Sequence, residues 1–499
     1  MVSGFIKMAR KLLYIPLAVF SAIMIYVLAV SASLTKYFPL WSAGDLPIHI
    51  ANIFFLDNYG FHNIVPNWYN GFALFELYSP GWSYLGLFLY KIINNYLFTV
   101  YAALIVTYLI GLAGIYLISK NQGFSRLETA LFFLSFFFSY IVSVYAIRTG
   151  RFPELLAWAL FALFFYSIIY YKDKKLDVKI IFLPLMFALL MLTHVYVFTA
   201  SSILILSILL VKNNKERLVI VSLLLLALIA ASFWWIPFFS ISQEVKDGAY
   251  SYGIFSELLQ PSSIISTNTA LSIALLALLF FYLKENKKDI KFYVPVIVLD
   301  LLILSRLIYF VPILRNIPTT PYNLLFLFLS LFLLFKIQNL KIKKLLVLAL
   351  ILFSLFSLIY VTNIELRYSY NSLDREFFSL FPEIKGKYFI MGKESDVYHE
   401  KLAAYAAAYY DLQTPIGYFR EYENLKYIDI NNNKILLKNA IQEIRDKFID
   451  KDCSFEKGLK DFNVTEIITK SDYCSFAKEC GFLEKNKTAN LCLLTIPNS

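Results

Sequence analysis

KIIFLPLMFALLMLTHVYVFTASSILILSILLV, residues 179–211, is apolar for longer than one membrane crossing needs, and it is interrupted once, by Thr193 and His194. A helix covers the hydrocarbon core with about 20 apolar residues, and a single span of this length would overshoot it. The polar pair therefore predicts a tight hairpin between two spans, 179–193 and 195–211. Outward from it, comparable runs lie at 12–33, 96–118, 126–146, 152–171, 217–239, 269–283, 292–307, 321–337 and 344–362. The total is about eleven spans. The whole composition agrees: 59% of residues are hydrophobic, against roughly 45–50% in soluble domains. The 47 Phe and 36 Tyr suit lipid-facing helices with interfacial aromatic belts.

Charge orients these spans. Lys7, Arg10 and Lys11 put the N-terminus inside, and alternate loops then collect Lys120 and Arg126, Lys172 to Lys179, Lys212 to Arg217, Lys284 to Lys291, and Lys336 to Lys344. The intervening outer loops carry far fewer cations, as the positive-inside rule requires. An odd number of spans leaves the C-terminus outside. The net charge of +11 is thus absorbed by topology, and no basic stripe or RNA-binding motif points to nucleic acid. The first span begins like a signal peptide, but its apolar region exceeds the 7–15 residues of a cleaved signal, which predicts a retained helix.

From about residue 363 the long apolar runs stop. Short β-rich stretches (387–391, 464–469, 491–496) alternate with amphipathic ones (398–410, 435–448), the pattern of a small α/β domain. All four cysteines, Cys453, Cys474, Cys480 and Cys492, fall there. An even number in an external domain reads as two disulfides with three possible pairings. The sequons at Asn463 and Asn486 fit an outer location and a glycoprotein. The predicted fold is an all-α polytopic membrane bundle over residues 1–362, N-terminus in and C-terminus out. A small extracytoplasmic α/β domain, disulfide-bonded, occupies 363–499, and a functional first outer loop spans 34–95.

Unusual polar residues gather at the outer face. In the first loop Asp45 and His49 are four apart, on one face of a helix, and a carboxylate beside an imidazole suits a general base with its partner or two ligands of a divalent ion. Asp45 before Leu46-Pro47 is equally a good helix N-cap. The second loop, Arg148-Thr149-Gly150-Arg151-Phe152-Pro153-Glu154, carries two guanidinium forks at the depth of a lipid phosphate, with Arg151–Glu154 pairing as the structural reading. His194, Arg315, Glu244 and Trp234-Trp235 share this face; a helix cap suits His194 and an interfacial belt suits the tryptophans. Asp300 sits mid-span, apart from the rest. No Walker loop, Rossmann glycine pattern, G-x-S-x-G or H-E-x-x-H is present.

The Gly44-Asp45…His49 segment, the Pro66-x-Trp68…Gly71…Phe75…Tyr78-x-Pro80 run and the Arg148…Glu154 loop resemble prokaryotic membrane proteins labelled 6-pyruvoyl-tetrahydropterin-synthase-related, which look like C-type (GT-C) glycosyltransferases. The resemblance implies transfer of a sugar from a polyprenyl-phosphate carrier to a glycan, lipid or protein acceptor at the outer face of the cell membrane. It implies Asp45 as base or ligand of Mn²⁺ or Mg²⁺, and Arg148 and Arg151 on the donor phosphate. His49 is expected to assist Asp45, and Trp68, Glu76, Tyr78, Glu154, His194 and Arg315 to bind substrate. The usual paired acidic motif is absent beside Asp45, as is the Trp-Trp-Asp-Tyr-Gly signature of oligosaccharyltransferases; Trp235 is followed by Ile236-Pro237. The alternative class is a non-catalytic protein, a lipid or polysaccharide transporter or a cell-envelope assembly factor.

Overall fold

A computed structural model describes residues 11–40, 44–76, 78–245, 267–311, 319–337, 340–392, 396–417, 426–428 and 434–496. The chain is mostly helical, and every apolar run singled out above is helix. Among the described residues five helices are long and apolar enough to cross a membrane: Tyr14–Thr35, Tyr96–Gln122, Arg126–Thr149, Phe152–Lys172 and Ile342–Thr362. Asn214–Ala230 and Ser232–Ser240 meet at 69° and make a sixth if taken as one bent span. Val178–Thr193, Val195–Val211 and Thr320–Lys336 are shorter apolar helices.

Local chemistry sets the boundaries. At His194 the backbone is extended (φ −160°, ψ 107°), ending one helix, and its Nδ1 accepts the Val197 N–H at 3.4 Å to begin the next. Ser125 and Glu128 form a reciprocal capping box at Arg126. Arg126–Thr149 passes through one wider π turn at Tyr140–Val144. Phe152–Lys172, 21 residues long, rises about 30 Å and so separates Arg151 from Lys172 by a hydrocarbon thickness. At the far end Lys172 pairs with buried Asp289 at 2.6 Å, and Lys343 with Glu128 at 3.3 Å. Asp300 is fully buried and takes a hydrogen bond from the Ser272 hydroxyl, which accounts for it as a contact between two helices.

The first loop, 34–95, is largely ordered as secondary structure. It folds into Leu46–Tyr59, a two-residue hairpin pairing Ile64–Val65 with Phe72–Ala73, and Gly81–Ile93. Every residue from Leu46 to Leu56 is buried, because the helix packs against Gly81–Ile93 on one side and against Asp396–Tyr410 on another. Trp68 and Asn67, both fully buried, dock the loop onto the C-terminal part. The Trp68 indole N–H donates to the Ala403 carbonyl at 3.5 Å, and the Asn67 amide donates to Asp411 at 2.9 Å and to the Leu412 carbonyl at 3.2 Å. Thr414 N–H returns a bond to the Asn67 carbonyl at 2.8 Å.

In the C-terminal part, Tyr388–Met391 runs parallel to Glu466–Lys470, which pairs antiparallel with Leu491–Thr495 and through it with Leu483–Lys487. Cys453 is bonded to Cys480, and Cys474 to Cys492. Asn463 is exposed, whereas the Asn486 amide is taken up by Glu383.

Candidate functional site

Two turns meet at the end of the helices opposite Lys172. Gly44 N–H donates to the Arg148 carbonyl at 3.3 Å, and Asp45 N–H to the Thr149 carbonyl at 2.9 Å. This ladder needs glycines. A Cβ on Gly150 (φ +68°) would lie 2.2 Å from the Leu46 nitrogen, and one on Gly44 would lie 2.5 Å from the Thr149 oxygen. The backbones therefore touch, and the side chains of both turns open into one cavity of about 610 Å³, lined by Gly44, Asp45, Arg148, Thr149, Arg151 and the segment 363–365.

Asp45 occupies the position before Leu46–Tyr59, yet its side chain makes no capping hydrogen bond there. The N-cap reading supplies the position of the residue and not the use of its carboxylate. Arg148 is exposed. Arg151 is half-buried, with its guanidinium 3.5 Å from buried Glu154 and 5.2 Å from the centre of the Tyr145 ring. Burial works against the charge of Arg151, but Glu154, Tyr145 and Asp45 more than offset it, so its pKa lies above the ordinary value. Arg151 is thus held charged beside Glu154 and within electrostatic reach of Asp45.

His49 lies one turn along the helix, 3% exposed, with its ring 5.4 Å from Trp82 and 6.3 Å from Tyr78. Burial lowers its pKa to about 4, with Asp45 pulling the other way, so at neutral pH the imidazole is uncharged. It stands behind Asp45 and not on the cavity wall. Because the folded pKa is depressed from 6.5, the stability His49 contributes is complete above about pH 6.5 and drains away as pH falls towards 4. Thermal unfolding across that range should show a slope that His49→Gln reduces; an unchanged slope would locate the acid sensitivity elsewhere.

The remaining candidates divide. Tyr78 is half-buried and within electrostatic reach of Arg151. His194 lies near Arg151 and His49 but caps a helix. Glu76, half-buried, has its pKa raised by burial and lies off the cavity wall. Trp68 is buried in the contact with Ala403 described above. Arg315 lies outside the described residues. Trp234 is no belt residue: it is 1% exposed, and its indole N–H donates to the Phe75 and Tyr78 carbonyls at 3.1 and 2.9 Å, clamping the first loop.

Two residues escaped the sequence reading. Glu365, at the start of the C-terminal part, shares the cavity with Asp45. Lys401, 6% exposed on Asp396–Tyr410, feels the charges of Asp45 and Glu400; burial lowers its pKa and those two carboxylates oppose the shift. No local pattern marks either, since each reaches the site only through folding of the distant chain. Among the described residues no three His, Cys, Asp or Glu side chains come together as a set that could hold a metal. Glu365 shares the cavity wall with Asp45 and Glu154 lies within its electrostatic reach, but Arg148 and Arg151 stand among these carboxylates, and no step is routed through Mn²⁺ or Mg²⁺.

Helices long enough to span a bilayer, with a cavity lined by charged side chains at one end, describe a polytopic membrane protein. The chain belongs to the family described as 6-pyruvoyl-tetrahydropterin synthase related domain, membrane protein, whose model matches residues 75–369. Arg148, Arg151, Glu154 and His194 lie inside that match; Asp45 and His49 precede it. No curated protein sequence matches the chain. Among solved structures, it is similar to an Archaeoglobus fulgidus oligosaccharyltransferase in complex with Zn and sulfate, at 14% identity and TM-score 0.49, over 91% of this chain and 69% of that one. It is also similar to the archaeal oligosaccharyltransferase AglB from Archaeoglobus fulgidus in complex with an inhibitory peptide and a dolichol-phosphate, at 12% identity and TM-score 0.49, over 90% and 69%.

Proposed function

We propose that this protein is a membrane glycosyltransferase that moves a sugar from a polyprenyl-phosphate carrier to an acceptor hydroxyl at the outer face of the cell membrane. The observation that carries this reading is the cavity whose wall brings two carboxylates, Asp45 and Glu365, together with two guanidinium groups, Arg148 and Arg151. Guanidinium forks match phosphate oxygens, and a phosphate at this depth is a lipid headgroup. The Asp45 carboxylate takes the proton of the acceptor hydroxyl as its oxygen bonds to the anomeric carbon. The bond from that carbon to the phosphate oxygen breaks, and the electron pair leaves on the phosphate, where Arg148 and Arg151 offset the charge. Glu154 holds Arg151 in place, and His49 packs behind Asp45 as a neutral support.

The topology proposed with it has about eleven spans, the N-terminus inside and residues 363–499 as an external domain that closes over the site. The transporter alternative would put its polar machinery near the midplane. The ionisable residue there, Asp300, is tied to Ser272 and fully buried.

Labelled-sugar transfer by the purified protein tests the reading. Arg151→Ala should raise the donor KM and lower kcat as well, with kcat/KM falling by about tenfold or more, the worth of one charge-assisted bond to a phosphate that gains charge as it leaves. Wild-type protein that is folded yet inert across a broad donor and acceptor panel would sink the enzyme reading in favour of transport or assembly.

A further inference from the structure

A second cavity, of about 360 Å³, lies beside the first and shares Glu365 with it. Its wall is the extended segment 364–371, which belongs to no sheet among the described residues. Along it burial alternates. Leu366 and Tyr368 point inward at 1% and 3% exposure, while Glu365, Arg367, Ser369 and Asn371 all point outward and are exposed.

The inward side chains fix this segment to the membrane helices. Tyr368 N–H donates to the Ser33 hydroxyl at 3.0 Å, and its own hydroxyl donates to the Ile147 carbonyl at 3.3 Å. The Tyr370 hydroxyl accepts the Phe38 N–H at 2.6 Å, and its ring stands edge-on to Tyr37 at 5.1 Å. The outward row is therefore pre-organised, which lowers the ordering cost of binding. Ile147, held by Tyr368, immediately precedes Arg148 of the first cavity.

Resting on the glycosyltransferase reading, we infer that this second cavity is the acceptor subsite and that it takes a hydroxylated sugar. A carboxylate, a guanidinium, a hydroxyl and an amide in alternating register offer acceptors and donors to adjacent sugar hydroxyls, while Tyr370, Phe38 and Leu40 give an apolar wall for the C–H face of a pyranose. An extended peptide would instead need apolar pockets at alternate positions. Along this row every outward position is polar. Glu365, common to both cavities, stands where an acceptor hydroxyl passes from the second to the first.

The full chain in lipid nanodiscs is titrated with methyl glycosides of glucose, galactose, mannose and their 2-acetamido forms, by ligand-observed saturation-transfer NMR. Polyprenyl phosphate binding is measured in parallel. At least one glycoside should saturate the protein. Arg367→Ala and Asn371→Ala, both at exposed positions, should weaken it by about tenfold while polyprenyl phosphate affinity holds within about twofold. Arg148→Ala and Arg151→Ala should do the reverse. Wild-type protein that binds polyprenyl phosphate but no glycoside overturns the subsite and leaves the donor site standing. So does glycoside binding indifferent to Arg367→Ala and Asn371→Ala, or saturation by an extended peptide in place of sugar. Glycoside binding that depends on Arg367, in protein that takes no polyprenyl phosphate, sinks the donor reading alone.

Discussion

Asp45→Asn is expected to slow sugar transfer by about 10²- to 10⁴-fold, the range a positioned general base contributes, while the protein inserts and folds as before. The change is nearly isosteric. The main chain of residue 45 is bonded to the Thr149 carbonyl at 2.9 Å, and that bond does not involve the carboxylate. The same substitution should tighten donor binding. Asp45 lies within electrostatic reach of Arg151 and Lys401 and competes with an incoming phosphate for them, so its neutral replacement leaves more positive potential in the cavity. A falling kcat with a falling donor Kd is the signature to look for, in single-turnover transfer beside equilibrium binding of polyprenyl phosphate. A kcat within about tenfold of wild type would remove Asp45 from the role of base.

Gly150→Ala should do comparable damage through geometry alone. Its Cβ would fall 2.2 Å from the Leu46 nitrogen and 2.7 Å from the Asp45 nitrogen, both backbone atoms at a helix start that is packed on two sides. The left-handed φ of +68° adds strain of about 1–3 kcal/mol for a residue with a Cβ. The two turns must separate, and Asp45 moves relative to Arg148 and Arg151. Misplacing a catalytic group by about 1 Å can cost about 10²-fold in rate. Gly123→Ala is the control, since it has the same hand of backbone (φ +73°) but nothing within 4 Å. It should lose a little stability and no activity. Equal loss in both variants would mean that general strain, and not the contact between the turns, is responsible.

Much of the framework could be read from the chain because its signals are local. The apolar runs became helices, and the break after Thr193 falls where the polar pair stood. The stretches 387–391, 464–469 and 491–496 became strands because each combines β-prone residues with burial. Leu483–Lys487 was not recognisable as a strand, since it is an edge whose polar side chains show no alternation; Lys485 reaches Glu466 at 2.6 Å and Lys478 reaches Glu484 at 2.5 Å. At the site, the Arg151–Glu154 pairing followed from spacing alone. Lys401 and Glu365 did not, for their relation to Asp45 exists only after the C-terminal part docks. Trp68 and Trp234 show the converse limit: indole rings in a loop signal importance, but burial decides whether they meet a substrate or another segment of the chain.

The cavity wall at 363–365 also bears on how such a protein is made. A ribosome extends the chain from Asp45 through Arg148 and Arg151 long before it reaches Glu365, and Lys401 and the cysteines follow later still. Throughout that interval the nascent chain holds a carboxylate and two arginines but only part of the enclosure around them. A chain that stalls or is cut short before residue 363 leaves behind a bundle with an unfinished mouth. The cavity is therefore enclosed only after the chain has been extended past Glu365, and Lys401 joins it later still.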